Sequence, residues 1–138
     1  MTIPDSSAPR RAFGSPFHAW LGLETGARSA ASAELALAVR PEFLQEEGVV
    51  QGGVLSALLD ATCVYALYPE LDARDALTSI EFKVNFLAPG LPERGRLVAR
   101  AEVLKTGKTL ALVKCVATQA ERAVAEGLFT YLYTRAKA

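Results

Sequence analysis

The residues best suited to chemistry in this chain are a carboxylate and two glycines on one predicted helix. Gly52 and Gly53 open that helix, and Asp60 follows eight residues after Gly52. The N–H groups of a helix's first turn are unpaired and lie at its positive end. Glycines there let a ligand oxygen come close. Such amides can hold an oxygen on which negative charge develops during a reaction. Asp60 is the only charged side chain between the helix start and Glu70. A carboxylate among apolar neighbours needs a partner, water or a task, because burying it alone costs several kcal/mol. A bond to a nearby amide or to solvent would satisfy it. The glycine pair on the same helix favours a catalytic pairing instead.

Distance along the helix then sets a constraint. Eight residues rise about 12 Å, so one carbonyl group cannot touch the Gly52 amide and be attacked through Asp60 of the same helix. At 100° per residue, Leu55, Leu58, Leu59, Thr62 and Tyr65 share one face. Gly53, Ser56, Ala57, Asp60, Cys63 and Val64 share the other. The first face is bulky and suits packing on a sheet. The second is mostly small and lets another helix approach. The spacing therefore predicts a two-fold dimer in which Gly52 of one subunit meets Asp60 of the other, with two equivalent interface sites.

Other chemistries are excluded by counting. There is one histidine, His18, so no site with two His ligands can form; two cysteines, Cys63 and Cys115, cannot build a Cys₄ or Cys₃His zinc centre. No metal site is expected. His18 falls in a short helix near Trp20, with no Ser or Asp placed to complete a triad, and reads as structural. Gly107-Lys108-Thr109 matches the end of a phosphate loop, but position 102 is Glu102 and a strand follows, so that reading fails. With 15 basic and 15 acidic side chains the formal net charge is zero, which argues against nucleic-acid and anionic-membrane partners. The most apolar stretch, 48–69, is interrupted by Gln51 and Asp60 and is not a membrane span. Two buried, reduced thiols suit a cytoplasmic chain.

The elements that must position these residues are legible as hydrophobic patterns. The 138 residues, 51% of them hydrophobic, suit one folded domain over 13–138, preceded by a flexible proline-broken tail over 1–12. Residues 16–23 read as a short helix. Residues 33–39 alternate as a strand stopped by Pro41. The long helix runs from Gly53 to about Tyr68 and is closed by Pro69. Strands follow over 78–88, 96–103, 109–118 and 124–134. In the first of these, Thr78, Ile80, Phe82, Val84 and Phe86 alternate against Ser79, Glu81, Lys83 and Asn85. Short connections between successive strands predict an antiparallel meander, and with one long apolar helix they predict an α+β fold. Phe82, Phe86, Phe129, Tyr131 and Tyr133 read as core or sheet-packing aromatics rather than a ligand cage.

Three segments carry a family resemblance over roughly residues 16–134. They are Gly48-Val49-Val50-Gln51-Gly52-Gly53 with Asp60 seven residues after Gly53, Ser79 to Gly90 as a strand ending in a proline turn, and Val103 to Ala111. In order and spacing the chain resembles the hotdog-fold acyl-CoA thioesterases of the phenylacetate-degradation type. The resemblance implies a five- or six-stranded antiparallel sheet wrapped around the central helix, and a dimer, commonly paired into a tetramer. It implies hydrolysis of the thioester between an acyl group and coenzyme A, which is part of the substrate, so no separate cofactor is expected. It places Asp60 as nucleophile or as general base for water, and Gly52 as the oxyanion-stabilising amide. It places Gln45 near the thioester carbonyl, and Ser79, with Thr78 as substitute, near the attacking water. The family's His before the glycine pair is Gln51 here, and its Asn is Gln45. Gln51 and Gly53 flank Gly52 in the expected ligand-contacting set. Lys105, Lys108 and Arg94, with Arg96, either hold the phosphates of coenzyme A or are solvated turn residues.

The first functional expectation is thus an acyl-CoA thioesterase. The alternative is a non-catalytic acyl-CoA-binding relative, suggested by Gln51. A hotdog dehydratase ranks below both, because none of its catalytic His is present.

Overall fold

The computed structural model describes residues 15–71 and 75–134; the expected tail over 1–12 lies outside the described residues. Helix α1 (Pro16–Leu21) starts where the Ser15 hydroxyl accepts the His18 N–H at 3.1 Å, and Pro16 occupies the first turn. It ends two residues earlier than the pattern suggests, because Gly22 takes a left-handed φ of 74° and its N–H caps the last carbonyls.

Two strands precede the long helix where one is expected. Strand β1 (Glu24–Arg28) is exposed along its whole length. It has no apolar alternation to announce it, and it exists through pairing with β2 (Ser32–Leu37). An ion pair at 2.8 Å between Glu24 and Arg96 ties it to the neighbouring strand region. In β2 the expected apolar residues Ala33, Leu35 and Leu37 are fully buried.

Helix α2 (Gly52–Leu67) crosses the sheet and packs on β2, β4 and β5. Leu55, Leu58, Leu59 and Thr62 are buried as expected. Each buried leucine contributes about 2 kcal/mol of apolar transfer. Cys63 departs from the expected small face. It lies one turn beyond Leu59 and is buried with it, because the sheet curls far enough around the helix to cover both Ala61 and Cys63. The face left open carries Gly53, Ser56, Ala57, Asp60 and Val64. Among the described residues no helix is long and apolar enough to cross a membrane.

Strands β3 (Ala76–Phe86), β4 (Leu97–Thr106), β5 (Leu110–Gln119) and β6 (Arg122–Thr134) complete one antiparallel sheet in the order β1-β2-β4-β5-β6-β3. The simple meander expectation holds only for β4-β5-β6. Strand β3 does not pair with β4 but lies at the far edge, on β6. The segment after it must therefore cross the end of the sheet. Gln119, buried at the end of β5, fastens that crossing: its side chain bonds Leu91 N–H at 2.9 Å, Leu91 O at 2.7 Å and Gly95 O at 2.8 Å. Gly90 fits there because a Cβ would stand 3.0 Å from Val50 Cγ2.

The β5–β6 hairpin turns on Ala120 and Glu121, both at positive φ (47° and 63°). Two consecutive left-handed residues are the geometry for which Asn-Gly is preferred. Relieving this with Ala120→Asn and Glu121→Gly together is expected to stabilise the domain by about 1 kcal/mol. Thermal unfolding would show it as a rise of roughly 3–4 °C in Tm. An unchanged or lower Tm contradicts the reading of this turn.

Candidate active site

Gly52 is held in place by backbone bonds. Gln51, the N-cap, is extended at φ −55° and ψ 134° and makes no side-chain cap bond. Its N–H donates to Phe43 O at 2.8 Å, and Val50 N–H donates to Gly90 O at 2.9 Å. The bridge between Leu44 and Val50 closes the loop. The loop that the resemblance assigns to a His is thus shaped here without any side chain at position 51. The ring of Phe86 lies against the helix start, close enough that a Cβ on Gly52 would sit 3.0 Å from Cζ. Gln45, Gly52 and Phe86 line an open cavity of about 450 Å³ together with the Pro89-Gly90 turn. The Gln45 side-chain oxygen accepts the Glu47 N–H, so its –NH₂ end is the part left to donate.

Asp60, half-buried on the open face of α2, lines a different cavity of about 410 Å³. Its Oδ1 accepts a hydrogen bond from Tyr131 Oη at 2.6 Å, and the same hydroxyl lies 3.2 Å from Asp60 O. Tyr131 is fully buried. Burial, followed by the neighbouring Cys63 and Asp60, pushes its phenol far above the ordinary range, so it remains a proton donor. Burial likewise pushes the Cys63 thiol up, reinforced by the adjacent Cys115. Both cysteines are unbridged and buried.

The cavity around Asp60 is also lined by His18 and Phe17. Phe82 lines it too, and Phe86 lines the Gly52 cavity; both rings are about half exposed. They are walls rather than core. Phe129 stays in the core, stacked on Phe82 at 5.1 Å. The shift follows from the position of β3 at the sheet edge, where one flank of the strand has no neighbour among the described residues.

A bulge just after the two water-positioning candidates decides which way each faces. Ser79 pairs with Tyr131 and Glu81 with Thr130, so Ile80 is an extra residue that the partner strand does not match. One inserted residue reverses the alternation. Thr78 therefore pairs with exposed Leu132 and faces away from α2, whereas Ser79 shares the side of Tyr131. The alternation read from sequence puts these two the other way round. The basic residues do not cluster within one chain. Arg94 lies before β4, while Lys105 is at its far end and Lys108 in the next turn. The eight steps from Leu97 to Lys105 span roughly 26 Å of strand. All three side chains are exposed.

The chain thus presents two half-sites. One offers an amide at a helix N-terminus beside Gln45. The other offers a carboxylate fixed by a phenol, on the side of the sheet that Ser79 shares. Tyr131 is the partner of Asp60 that the sequence did not single out. Its inward phase on β6 is legible, but nothing links it to a residue 71 positions away. Among the described residues, no group of three or more His, Cys, Asp and Glu side chains is gathered to hold a metal ion.

Several known proteins share this fold. The chain is similar to S. sahachiroi AziG, with 26% identity, a TM-score of 0.83, and 88% of this chain covering 98% of that one. A thioesterase family protein from Silicibacter pomeroyi is 30% identical, with a TM-score of 0.80 over 88% of this chain and 91% of that one. A protein from Ralstonia eutropha JMP134, described as a candidate thioesterase related to phenylacetic acid degradation, is 27% identical with a TM-score of 0.80, over 91% and 92% of the two chains. A curated relative from Saccharolobus solfataricus, named as a candidate esterase, is 33% identical over 75 residues, which are 54% of this chain. The match spans about half (51%) of the length of that relative. A family model described as "Thioesterase superfamily" matches residues 47–126, more than half of the chain, and so includes both the Gly52 helix start and Asp60. A six-stranded antiparallel sheet wrapped around one long helix, with that match running through both Gly52 and Asp60, makes this protein a hotdog-fold member of the thioesterase superfamily.

Proposed function

We propose that the protein is an acyl-CoA thioesterase working at two sites shared across a two-fold dimer. The observation that carries this reading is the division of the site within one chain. Gly52 and Asp60 face separate cavities, and each lacks what the other supplies. Two further features support a dimer. The open face of α2 is mostly small, and the outer edge of β3 is long and carries exposed Ile80, Phe82 and Phe86. Pairs of such dimers would form the tetramer that the resemblance implies. Two unbridged thiols suit a cytoplasmic setting.

In this mechanism the thioester carbonyl oxygen sits on the Gly52 N–H at the positive end of α2, and the Gln45 amide donates a second bond. Asp60 of the partner subunit takes a proton from water, whose oxygen bonds to the acyl carbon. Direct attack by the carboxylate, followed by hydrolysis of the anhydride, is the other route. In the water route the C–S bond breaks as the tetrahedral intermediate collapses, and the leaving thiolate of coenzyme A takes the proton held by Asp60; in the carboxylate route the C–S bond breaks as the anhydride forms, before water hydrolyses it. Ser79 orients the water. Because Arg94 and the pair Lys105 and Lys108 stand at opposite ends of β4, they serve the ligand's phosphates from different directions or from different subunits. Purified protein with acyl-CoA thioesters, from short aliphatic to phenylacetyl and benzoyl, and a thiol-detecting reagent tests the activity. Release of coenzyme A on turnover supports it. Tight coenzyme A binding with no release across the panel supports the non-catalytic alternative.

A further inference from the structure

We infer that Tyr131 is a positioning residue for Asp60, holding the carboxylate so that a single oxygen faces the reacting group. This rests on the reading of Asp60 as the catalytic carboxylate. A half-buried aspartate on a helix can adopt several rotamers. Here the phenol reaches in from the middle of β6 and caps Oδ1 at 2.6 Å, a length typical of a bond to an ionised oxygen. Tyr131 is itself immobilised: it is fully buried and lies next to Cys63, one helical turn beyond Asp60. With Oδ1 occupied, Oδ2 is the oxygen left for water or substrate. The bond also couples the helix that carries the carboxylate to the strand that pairs with Ser79, since Ser79 is opposite Tyr131 in the β3–β6 register. A change in where β6 sits would therefore move the carboxylate and the proposed water-orienting hydroxyl together. If the ring served packing alone, phenylalanine would fill the same volume with no buried hydroxyl to satisfy.

The test is Tyr131→Phe, which removes the hydroxyl and keeps the ring. The expected result is a fall in kcat of about ten- to hundredfold, with KM changed less than about twofold, in line with the strength of a hydrogen bond to a charged group. Adding Tyr131→Phe to Asp60→Asn should then lower the residual rate no further, because the hydroxyl acts only through the carboxylate. An unchanged kcat in Tyr131→Phe, or an additive loss in the double variant, overturns the inference. The wild-type protein offers a second readout if Tyr131→Phe does not fold. A slowly exchanging, downfield phenolic proton should be visible by NMR and move upfield in Asp60→Asn. Its absence in the wild type also overturns the inference. Failure of the underlying reading looks different, because turnover then survives Asp60→Asn.

Discussion

Replacing Asp60 with Asn is expected to lower kcat by about three orders of magnitude while the protein stays folded. The magnitude follows from removing a positioned base, which contributes roughly 10²–10⁴. Asn is the informative substitution because it separates charge from shape. Its side-chain oxygen can still accept the Tyr131 hydroxyl, now 2.6 Å from Oδ1, so the buried phenol keeps its partner. Ala would remove the shorter of that hydroxyl's two contacts with Asp60, leaving the one to Asp60 O at 3.2 Å, and a poorly satisfied buried group costs about 1–3 kcal/mol. Loss of activity in Asp60→Ala alone would thus mix chemistry with stability. Steady-state kinetics on Asp60→Asn, with circular dichroism and Tm recorded on the same sample, separate them. Activity within tenfold of wild type would remove Asp60 from the mechanism.

The largest gain of function should come from mixing two dead variants. Gly52→Pro is the partner of choice for Asp60→Asn. Position 52 is the first residue of α2, where proline is well tolerated and its missing N–H costs the helix nothing. Gln51 already has the extended backbone that a following proline requires. A Cβ at this position meets only the ring of Phe86 within 4 Å, and that ring is about half exposed. The substitution therefore deletes the proposed oxyanion donor and little else, and should cost about 10²–10³ in kcat. When the two inactive proteins are unfolded, mixed in equal amounts and refolded, half of the dimers contain one of each chain. In every such dimer one site receives Gly52 from one chain and Asp60 from the other, both intact. Activity should return to about a quarter of the wild-type value. If each chain carried a complete site, every site would hold one defect and none would recover. The mixture thus reports on the shared site without a structure of the dimer.

The crossing of the sheet end explains why the strand order was not legible beforehand. Local alternation identifies strands β2, β3, β4, β5 and β6 from sequence, because each has apolar residues on a buried or ligand-facing side. It says nothing about which strand pairs with which. That β3 skips to β6 shows only in the fold, where Gln119 at the end of β5 fastens the connecting segment through bonds to Leu91 and Gly95. Strand β1 escaped notice because its five residues bury nothing and show no apolar alternation. The bulge at Ile80 was equally silent. One unmatched residue exchanges the roles of Thr78 and Ser79 without altering the composition of the strand.

By itself the sequence determined the central helix, its two glycines, its lone carboxylate and the impossibility of joining them within one chain. These follow from the fixed rise and rotation of an α-helix, which need only residue spacing. The tertiary structure alone decided what surrounds that carboxylate. It brought Tyr131 to Asp60 across 71 positions, drew His18 and Phe82 to the same cavity, and kept Arg94 apart from Lys105 and Lys108. Hydrogen bonds and cavity walls depend on where separate elements meet in space. That is set by packing over the whole sheet, not by any pattern along one segment.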